Sequence, residues 1–323
     1  MSRLSTLIFA VLFGALFSCS NGAEFDLPAE ENTFDNLIKY NNKVDLVLLV
    51  DNSGSMKEYQ DRLVTQLPKF IERLNSLKMD YHIAVISSSI SGPNNGGRFL
   101  GEPAFLTGSS PNLIESLKSR VQVGEKGSDV ESPLQNFKNI FYSDYIRFEG
   151  VGFLRQDALL ALVTLSDDDD KTSVSAASFG QQLDQLRPPL RDGTKGWLYN
   201  YIGVIDSKSS CKSGFANAPT VGDKHLALAQ MSQGVVTSIC DANLDRAVSN
   251  IRARIEEVLT DYLLKEKPVI SSIRVLLNGK EVPQDPIDGW TYNMETNVIS
   301  FHGTAVPASD GRVVVNYERA QVN

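Results

Sequence analysis

The chain has 323 residues, of which 42% are hydrophobic and 22% are charged, the composition of an ordinary globular protein. Its length suggests about two domains, and its composition excludes collagen, low-complexity disorder and a small disulfide scaffold. Acidic residues outnumber basic ones by 39 to 31, which gives a formal net charge of −8. This balance argues against nucleic acid or an anionic membrane surface as the main partner, because both recruit cationic surfaces.

The N-terminal segment is typical of an export signal. An apolar run over 4–17 follows a short positive segment, and it is shorter than the roughly 20 residues of a membrane-spanning helix. It ends at Ser18-Cys19, which resembles the bacterial lipobox. We therefore predict a signal peptide over 1–18 and lipid attachment at Cys19, with an ordinary cleaved signal as the alternative. The next residue, Ser20, resembles the pattern of lipoproteins sorted to the outer membrane, so the predicted location is the bacterial cell envelope, at its outer membrane.

The chain contains three cysteines. If Cys19 carries lipid, Cys211 and Cys240 remain. Export places them in an oxidising compartment, where such a pair commonly forms a disulfide, and we predict that bond. The alternative is two reduced thiols that are buried as small hydrophobic side chains.

Residues 19–42 are polar and are predicted to be a tether and lead-in. From 43 to 265, short apolar runs alternate with segments of helical periodicity. Runs that are apolar throughout are typical of parallel strands covered on both faces, so we predict a doubly wound, mostly parallel α/β sheet flanked by helices. The predicted strands are 44–50, 81–86, 158–165, 197–205 and 235–239. The predicted helices are 63–77, 111–121, 132–141, 173–186, 224–231 and 244–259.

The pattern changes after Lys267-Pro268. Alternating apolar residues over 273–277 run into Asn278-Gly279, the strongest short hairpin signal. Further strands are predicted over 290–292, 298–301 and 312–317. We therefore predict a small, sandwich-like all-β module over 266–323, packed on the α/β domain because so short a β unit is marginal alone.

Three oxygen-bearing side chains follow the first predicted strand at alternate positions. They are Asp51, Ser53 and Ser55, and Gly54 is expected to let the backbone turn tightly between them. Ligands of open α/β sheets bind at the carboxyl ends of the strands, and hard divalent cations prefer oxygen ligands. The loop therefore predicts part of a cation site. The alternative is a simple turn in which Ser55 caps the next helix.

This loop resembles that of the von Willebrand factor A-type domain with its metal-ion-dependent adhesion site. The family's pattern is Asp-x-Ser-x-Ser after the first strand, a hydroxyl residue in a later loop and an Asp after the fourth strand. Here Ser128, in Gly127-Ser128-Asp129, stands at the second position, and Asp167 stands at the third. The resemblance covers residues 43–265. It implies that Mg²⁺, or alternatively Mn²⁺ or Ca²⁺, is held by Asp51, Ser53, Ser55, Ser128 and Asp167.

The resemblance also implies a function. In the family, the hydroxyls contact the metal, the acids often act through water, and a carboxylate of the partner completes the coordination. We therefore predict a binding protein, not an enzyme. Its expected partner is an extracellular or envelope protein or glycan with an exposed carboxylate, without nucleic acid and with membrane attachment through lipid alone.

Two loops, 89–107 and 141–153, are predicted to surround the site. The candidates for ligand contact are Arg98, Phe99, Tyr145 and Asp168. The acidic run 167–170 is interpreted as a solvated loop, with a second cation site as the alternative. Two rival functions stay open: an envelope-assembly scaffold with a structural metal site, and a metal-assisted hydrolase that uses the acidic run.

Overall fold

The computed structural model describes residues 30–33, 42–89, 96–127, 130–189, 194–207, 220–241, 244–308 and 311–320. The predicted signal peptide, Cys19, Ser128 and Cys211 lie outside these residues. Cys240 is disulfide-bonded, and its pairing with Cys211 stays a prediction. None of the helices in the described ranges is long and apolar enough to span a membrane.

Thirteen strands and seven α-helices are found in the described ranges. The strands are β1 (Glu30–Thr33), β2 (Lys43–Val50), β3 (Asp80–Ser87), β4 (Leu106–Thr107), β5 (Leu159–Ser166), β6 (Trp197–Gly203), β7 (Val236–Ser238), β8 (Asp261–Leu263), β9 (Arg274–Leu277), β10 (Lys280–Val282), β11 (Trp290–Asn293), β12 (Val298–Phe301) and β13 (Val313–Tyr317). The helices are α1 (Lys57–Ser76), α2 (Leu113–Val121), α3 (Pro133–Phe141), α4 (Tyr145–Phe148), α5 (Ala176–Leu186), α6 (Asp223–Ser232) and α7 (Asp245–Thr260).

Six strands form the central sheet in the order β4-β3-β2-β5-β6-β7, and all pairs are parallel except β3 with β4. Consecutive side chains of a strand point to opposite faces, so Leu46 and Leu48 of β2 join one apolar cluster while Val47 and Leu49 join the other. The first cluster contains residues of α1, α2 and α7, and the second contains residues of α3, α5 and α6. The predicted doubly wound α/β class is confirmed.

The register of the parallel strands brings their carboxyl ends together. Val50, the last residue of β2, stands opposite Ser87 at the end of β3 and Leu165 near the end of β5. The residues that follow, among them Asp51 and Ser88, therefore share one edge of the sheet with Ser166.

The C-terminal region forms two small antiparallel sheets, with orders β1-β13-β9-β10 and β11-β12-β8. The predicted hairpin joins β9 to β10, and both turn residues have positive φ, 52° at Asn278 and 77° at Gly279. This is the turn that an Asn-Gly pair favours, because both residues tolerate the left-handed region. The predicted all-β module is confirmed.

Strand β1 comes from the segment predicted as a lead-in, and it pairs with β13, with Glu30 opposite Tyr317. The sequence of β1, Glu-Glu-Asn-Thr, has no apolar alternation, so periodicity gave no sign of a strand. Strand β8 directly follows α7 and pairs with β12. Around it, the rings of Tyr262 and Phe301 pack edge to face with centroids 5.2 Å apart. Both residues belong to the apolar cluster that covers one face of the central sheet, so the two regions share a core.

Candidate metal centre

The Asp51 side chain is held firmly in the site, because it is fully buried and both of its carboxylate oxygens accept hydrogen bonds. Its Oδ2 accepts a hydrogen bond from the Ser166 hydroxyl at 2.6 Å. Its Oδ1 accepts from the backbone N–H of Ser53 at 2.8 Å and from the Ser88 hydroxyl at 3.3 Å. Donors from the two neighbouring strands and from its own loop therefore hold the carboxylate in one orientation.

Ser53, Ser55 and Asp167 come together as the sequence predicts. The Oγ atoms of Ser53 and Ser55 lie 3.3 Å apart, and Ser55 Oγ donates to Asp167 Oδ2 at 2.7 Å. Ser55 does not cap α1, since the residue before that helix is Met56 and it makes no side-chain cap bond. The turn-and-cap alternative is therefore wrong. The hydroxyl instead joins loops that follow two different strands.

The backbone turns at Gly54 as expected, and the Met56 N–H donates to the Ser53 carbonyl at 3.2 Å, but the turn does not need glycine. The φ of Gly54 does not lie in the left-handed region, and an added Cβ would meet no atom within 4 Å. Glycine is therefore not required at this position by the backbone or by packing.

The second loop of the motif is held against the first. The backbone N–H of Gly127 donates to the carbonyl of Asn52 at 2.8 Å, and a Cβ at Gly127 would approach Asn52 Oδ1 to 2.4 Å. This close approach requires glycine. Gln60 also links the two loops, because its Nε2 donates to the carbonyls of Asp51 at 2.9 Å and Gly124 at 2.8 Å. Ser128, the next residue after Gly127, lies outside the described residues, and its role as a ligand stays a prediction.

The loop after β3 contributes residues that the sequence reasoning missed. The Nδ2 of buried Asn136 donates to the carbonyls of three consecutive serines, at 3.0 Å to Ser87, 2.7 Å to Ser88 and 3.3 Å to Ser89. Ser88 then reaches Asp51. A signal existed, because Ser88 directly follows β3 and Ser166 ends β5, the two strands that flank β2.

Glu131 is a further acidic residue of this region. It is 1% exposed, and neither of its carboxyl oxygens accepts a hydrogen bond from a described residue. Its backbone is tied down, because Lys171 N–H donates to the Glu131 carbonyl at 2.9 Å and the next residue, Ser132, donates its N–H to the Ser88 carbonyl at 3.1 Å. The second loop thus brings a buried carboxyl group next to the Asp51 network.

The electrostatics of the site favour a bound cation. Burial raises the pKa of Asp51. Burial and the neighbouring Asp51 carboxylate raise the pKa of Asp167 to about 6 and that of Glu131 to about 9. Lys171 supplies positive charge to this region, but its ammonium is bound to Asp168 at 2.6 Å, and its effect on Glu131 does not offset burial, which raises the pKa of that residue. Buried carboxylates need a compensating positive charge or a proton, so the residues present fit a divalent cation.

The donor set indicates how such an ion would be held. Among the described residues, no three His, Cys, Asp or Glu side chains are arranged to bind a metal together. A cation would therefore be bound through the hydroxyls of Ser53 and Ser55, with Asp51 and Asp167 supplying negative charge. Oxygen donors of this kind suit Mg²⁺, Mn²⁺ or Ca²⁺.

The remaining acids of the run 167–170 do not form a second cation site, and they are not simply solvated. Asp168 accepts from Thr220 Oγ1 at 2.6 Å and from Lys171, and burial of Asp168 is outweighed by these bonds, which lower its pKa. Asp169 accepts from the backbone of Lys224 at 3.1 Å. Asp170 is buried and accepts from the Leu134 backbone at 2.8 Å. The carboxylates are bonded to neighbouring residues, with Lys224 shared by Asp169 and Asp170, so both interpretations of this run are wrong. Asp168 in particular is bonded to Thr220 and Lys171 within the fold.

The other candidates for ligand contact also have structural roles. Phe99 is buried, and its ring packs edge to face against Tyr145 with centroids 5.4 Å apart. The Tyr145 hydroxyl accepts the Phe99 backbone N–H at 2.8 Å. Arg98 is exposed and lies 3.4 Å from Glu149. The prediction for Phe99 and Tyr145 is wrong because their apolar surface is used in the core. The described parts of the two loops do not support the prediction that Arg98 contacts a ligand.

Fold and site together define an α/β protein with a hydroxyl-and-carboxylate cluster at the carboxyl edge of its sheet. Neither a protein-family model nor a curated protein matches the chain. Among solved structures, the chain is similar to proximal thread matrix protein 1 from the mussel byssus, with 12% identity and a TM-score of 0.42 over 70% of this chain and 50% of that one. That protein has also been solved with its MIDAS motif occupied by zinc.

A second similar structure is the ArnB paralog VWA2 from Sulfolobus acidocaldarius, with 12% identity and a TM-score of 0.35 over 88% of this chain and 59% of that one. The chain thus spans half to about three fifths of the length of these proteins. The likeness to both structures is partial.

Proposed function

We propose that residues 43–265 are a von Willebrand factor A-type domain that binds Mg²⁺, or in its place Mn²⁺ or Ca²⁺, and uses the ion to capture a carboxylate of a partner. The observation that carries this proposal is the 2.7 Å hydrogen bond between Ser55 Oγ and Asp167 Oδ2. It joins the first and third loops of the predicted ligand set, which are 112 residues apart in sequence. The proposed partner is a protein or glycan of the cell envelope or its surroundings.

Access to the ion supports capture of an external group. Ser53 and Ser55 are partly exposed, whereas Asp51 is buried beneath them. A groove of about 680 Å³ begins at Ser55 and runs along the first turns of α1. Both signs of charge line this groove, including the pair of Lys57 and Asp61 at 2.9 Å. A ligand with one carboxylate on the ion therefore has room to extend along α1.

The proposed location follows from the sequence of the N-terminal segment. The apolar run over 4–17 and Ser18-Cys19 support export and lipid attachment. We propose that the protein is anchored in the bacterial cell envelope through the lipid on Cys19. An oxidising compartment is consistent with the disulfide-bonded Cys240.

The proposed capture is tested with Mn²⁺ as the ion and acetate as the carboxylate. Bound Mn²⁺ that keeps coordinated water enhances the relaxation of water protons. We expect acetate to lower this enhancement by displacing water, and we expect acetamide, which lacks the charge, to leave it unchanged. Asp51→Ala is expected to abolish the enhancement altogether, because it removes the fixed carboxylate.

The same titration separates the rival functions. An enhancement that does not respond to acetate indicates a structural ion in a scaffold and contradicts capture. Turnover of a substrate that persists in Asp51→Ala would place any chemistry outside this site. The hydrolase alternative required the acidic run to be available for catalysis. The acids at 168–170 are instead bonded to neighbouring residues of the fold.

A further inference from the structure

Glu131 stands out among the buried acidic residues because neither of its carboxyl oxygens accepts a hydrogen bond from a described residue. Asp45, at the opposite end of β2, is equally buried but lies 2.8 Å from the guanidinium of Arg155. Asp170 accepts hydrogen bonds from Leu134 and lies 3.1 Å from the ammonium of Lys224. Glu131 lacks such a hydrogen bond, and the cation that acts on it is Lys171, whose ammonium is bound to Asp168. A buried polar group without a partner carries a large desolvation cost, so it calls for an explanation.

Its position supplies that explanation. Ser132 N–H donates to the Ser88 carbonyl, and the Ser88 hydroxyl donates to Asp51 Oδ1. Glu131 is therefore adjacent in sequence to a residue bonded to the Asp51 network, and the negative charge of Asp51 acts on it directly. Two neighbouring acids that are buried without a cation repel each other when both are ionised. A divalent ion between the loops removes this repulsion and compensates both.

On the basis of the proposed function, we propose that Glu131 contributes negative charge from the second loop to the cation site without being a direct ligand of the ion. Its charge strengthens the hold on the cation. The same charge reduces the attraction of the bound cation for an external carboxylate, because a more fully neutralised ion is less electrophilic. Glu131 is thus a positioning and tuning residue that sets the balance between ion affinity and partner affinity.

The rival explanation is a protonated, purely structural Glu131. Glutamine has nearly the same shape as a protonated glutamic acid, so Glu131→Gln should then change neither ion binding nor acetate binding. Our proposal predicts two changes of opposite direction. The Mn²⁺ affinity of Glu131→Gln falls by about tenfold or more, while at saturating Mn²⁺ its acetate affinity rises several-fold. A loss of local structure would weaken both together.

The experiment is a Mn²⁺ titration by calorimetry, followed by acetate titration with water-proton relaxation as the readout. Glu149→Gln is the matched control, because it removes one negative charge at an exposed position paired with Arg98. Glu131→Asp, which keeps the charge, is expected to retain most of the Mn²⁺ affinity. Thermal unfolding without metal checks the fold, and Glu131→Gln should melt no lower than the wild type.

Two results would overturn the inference. One is a Glu131→Gln protein with wild-type Mn²⁺ and acetate affinities. The other is a parallel loss of both affinities. Either result leaves the proposed function standing, provided that the wild type binds Mn²⁺ and acetate. Failure of the wild type to bind Mn²⁺ would instead overturn the proposed function itself.

Discussion

Asp51 shows how one buried carboxylate can organise a site. The Asp51 carboxylate has no exposed surface and therefore no hydrogen bonds from bulk water. Donors on Ser166, Ser53 and Ser88 replace them. Hydrogen bonds to a charged group are worth about 1.5–3 kcal/mol each, which offsets part of the desolvation cost. Its negative charge in turn raises the pKa values of its acidic neighbours. The site is therefore prepared for positive charge before any ion arrives.

The pH dependence of ion binding should report Asp167. Burial and the Asp51 carboxylate raise its pKa to about 6, so below that pH a proton competes with the cation. We expect the apparent Kd for Mg²⁺ to rise by about tenfold per pH unit below pH 6. Calorimetric titrations between pH 5 and pH 8 provide the measurement. In Asp167→Asn, the affinity should be weaker throughout and should lose this part of the pH dependence.

The same group sets a trend in the stability of the metal-free protein. The folded-state pKa of Asp167 lies above its ordinary value of 3.8, so the folded chain binds this proton more tightly than the unfolded chain does. Its contribution to the free energy of unfolding is therefore largest at low pH and is lost as the pH rises through about 6. Urea unfolding of wild type and Asp167→Asn at pH 4.5 and pH 7 measures it. A wild-type curve that gains stability relative to the variant on going to pH 7 would contradict this sign.

Several site residues could be predicted from sequence and others could not. Asp51, Ser53, Ser55 and Asp167 follow strands that are mostly apolar, so their position at the sheet edge was predictable. The burial of Glu131 near the site was not predictable, because it depends on contacts between loops that leave no periodic pattern in the sequence. Phe99 and its neighbours were assigned to a ligand from loop position alone, whereas their apolar surface belongs to the core.

At the scale of elements, the parallel register does most of the positioning. Pairing of Val50 with Ser87 and Leu165 sets the ends of three strands side by side. Helix α3 then secures the middle loop, since Asn136 on that helix binds three consecutive carbonyls with one amide nitrogen. Most strands and helices of the α/β domain were predictable from hydrophobic period, but the short β4 and α4 were not, and neither was this side-chain link between α3 and the loop.

Asn136 should affect both stability and ion binding. Asn136→Ala removes one donor from three consecutive carbonyls, of which those of Ser88 and Ser89 keep a backbone donor. We expect it to lower the free energy of unfolding by about 2 kcal/mol and to weaken Mg²⁺ binding. Asn200→Ala is the matched control. Asn200 is also buried, and it binds the Leu162 carbonyl at 3.1 Å and the Val235 N–H at 2.9 Å, away from the site. Urea denaturation should show a loss in both variants, and calorimetry should show weaker Mg²⁺ binding in Asn136→Ala alone. Equal Mg²⁺ affinities in the two variants would refute the positioning role.

At the scale of the whole molecule, the β module and the α/β domain share one apolar cluster. Strand β8 continues from α7 into the module, and strand β1 reaches the module from the segment before the α/β domain. The module was predictable from its alternation and its Asn-Gly turn. Its use of β1 was not, because a four-residue polar strand acquires its structure from the partner β13.

This shared core predicts a single unfolding transition. The sequence has two tryptophans, Trp197 in the α/β sheet and Trp290 in the β module, and both are buried. In Trp197→Phe, fluorescence reports the module, whereas circular dichroism at 222 nm reports the helices of the α/β domain. We expect the two urea transitions of this variant to coincide. A fluorescence transition at lower urea than the dichroism transition would show that the module unfolds independently.

The central claim is that Asp51 anchors a divalent-cation site at the edge of the sheet. Its most direct test is calorimetric titration of the metal-free protein with Mg²⁺ and with Mn²⁺, alongside Asp51→Ala. We predict one saturable site in the wild type and none in the variant. A wild type that binds neither ion, or a variant that binds them with unchanged affinity, would contradict it.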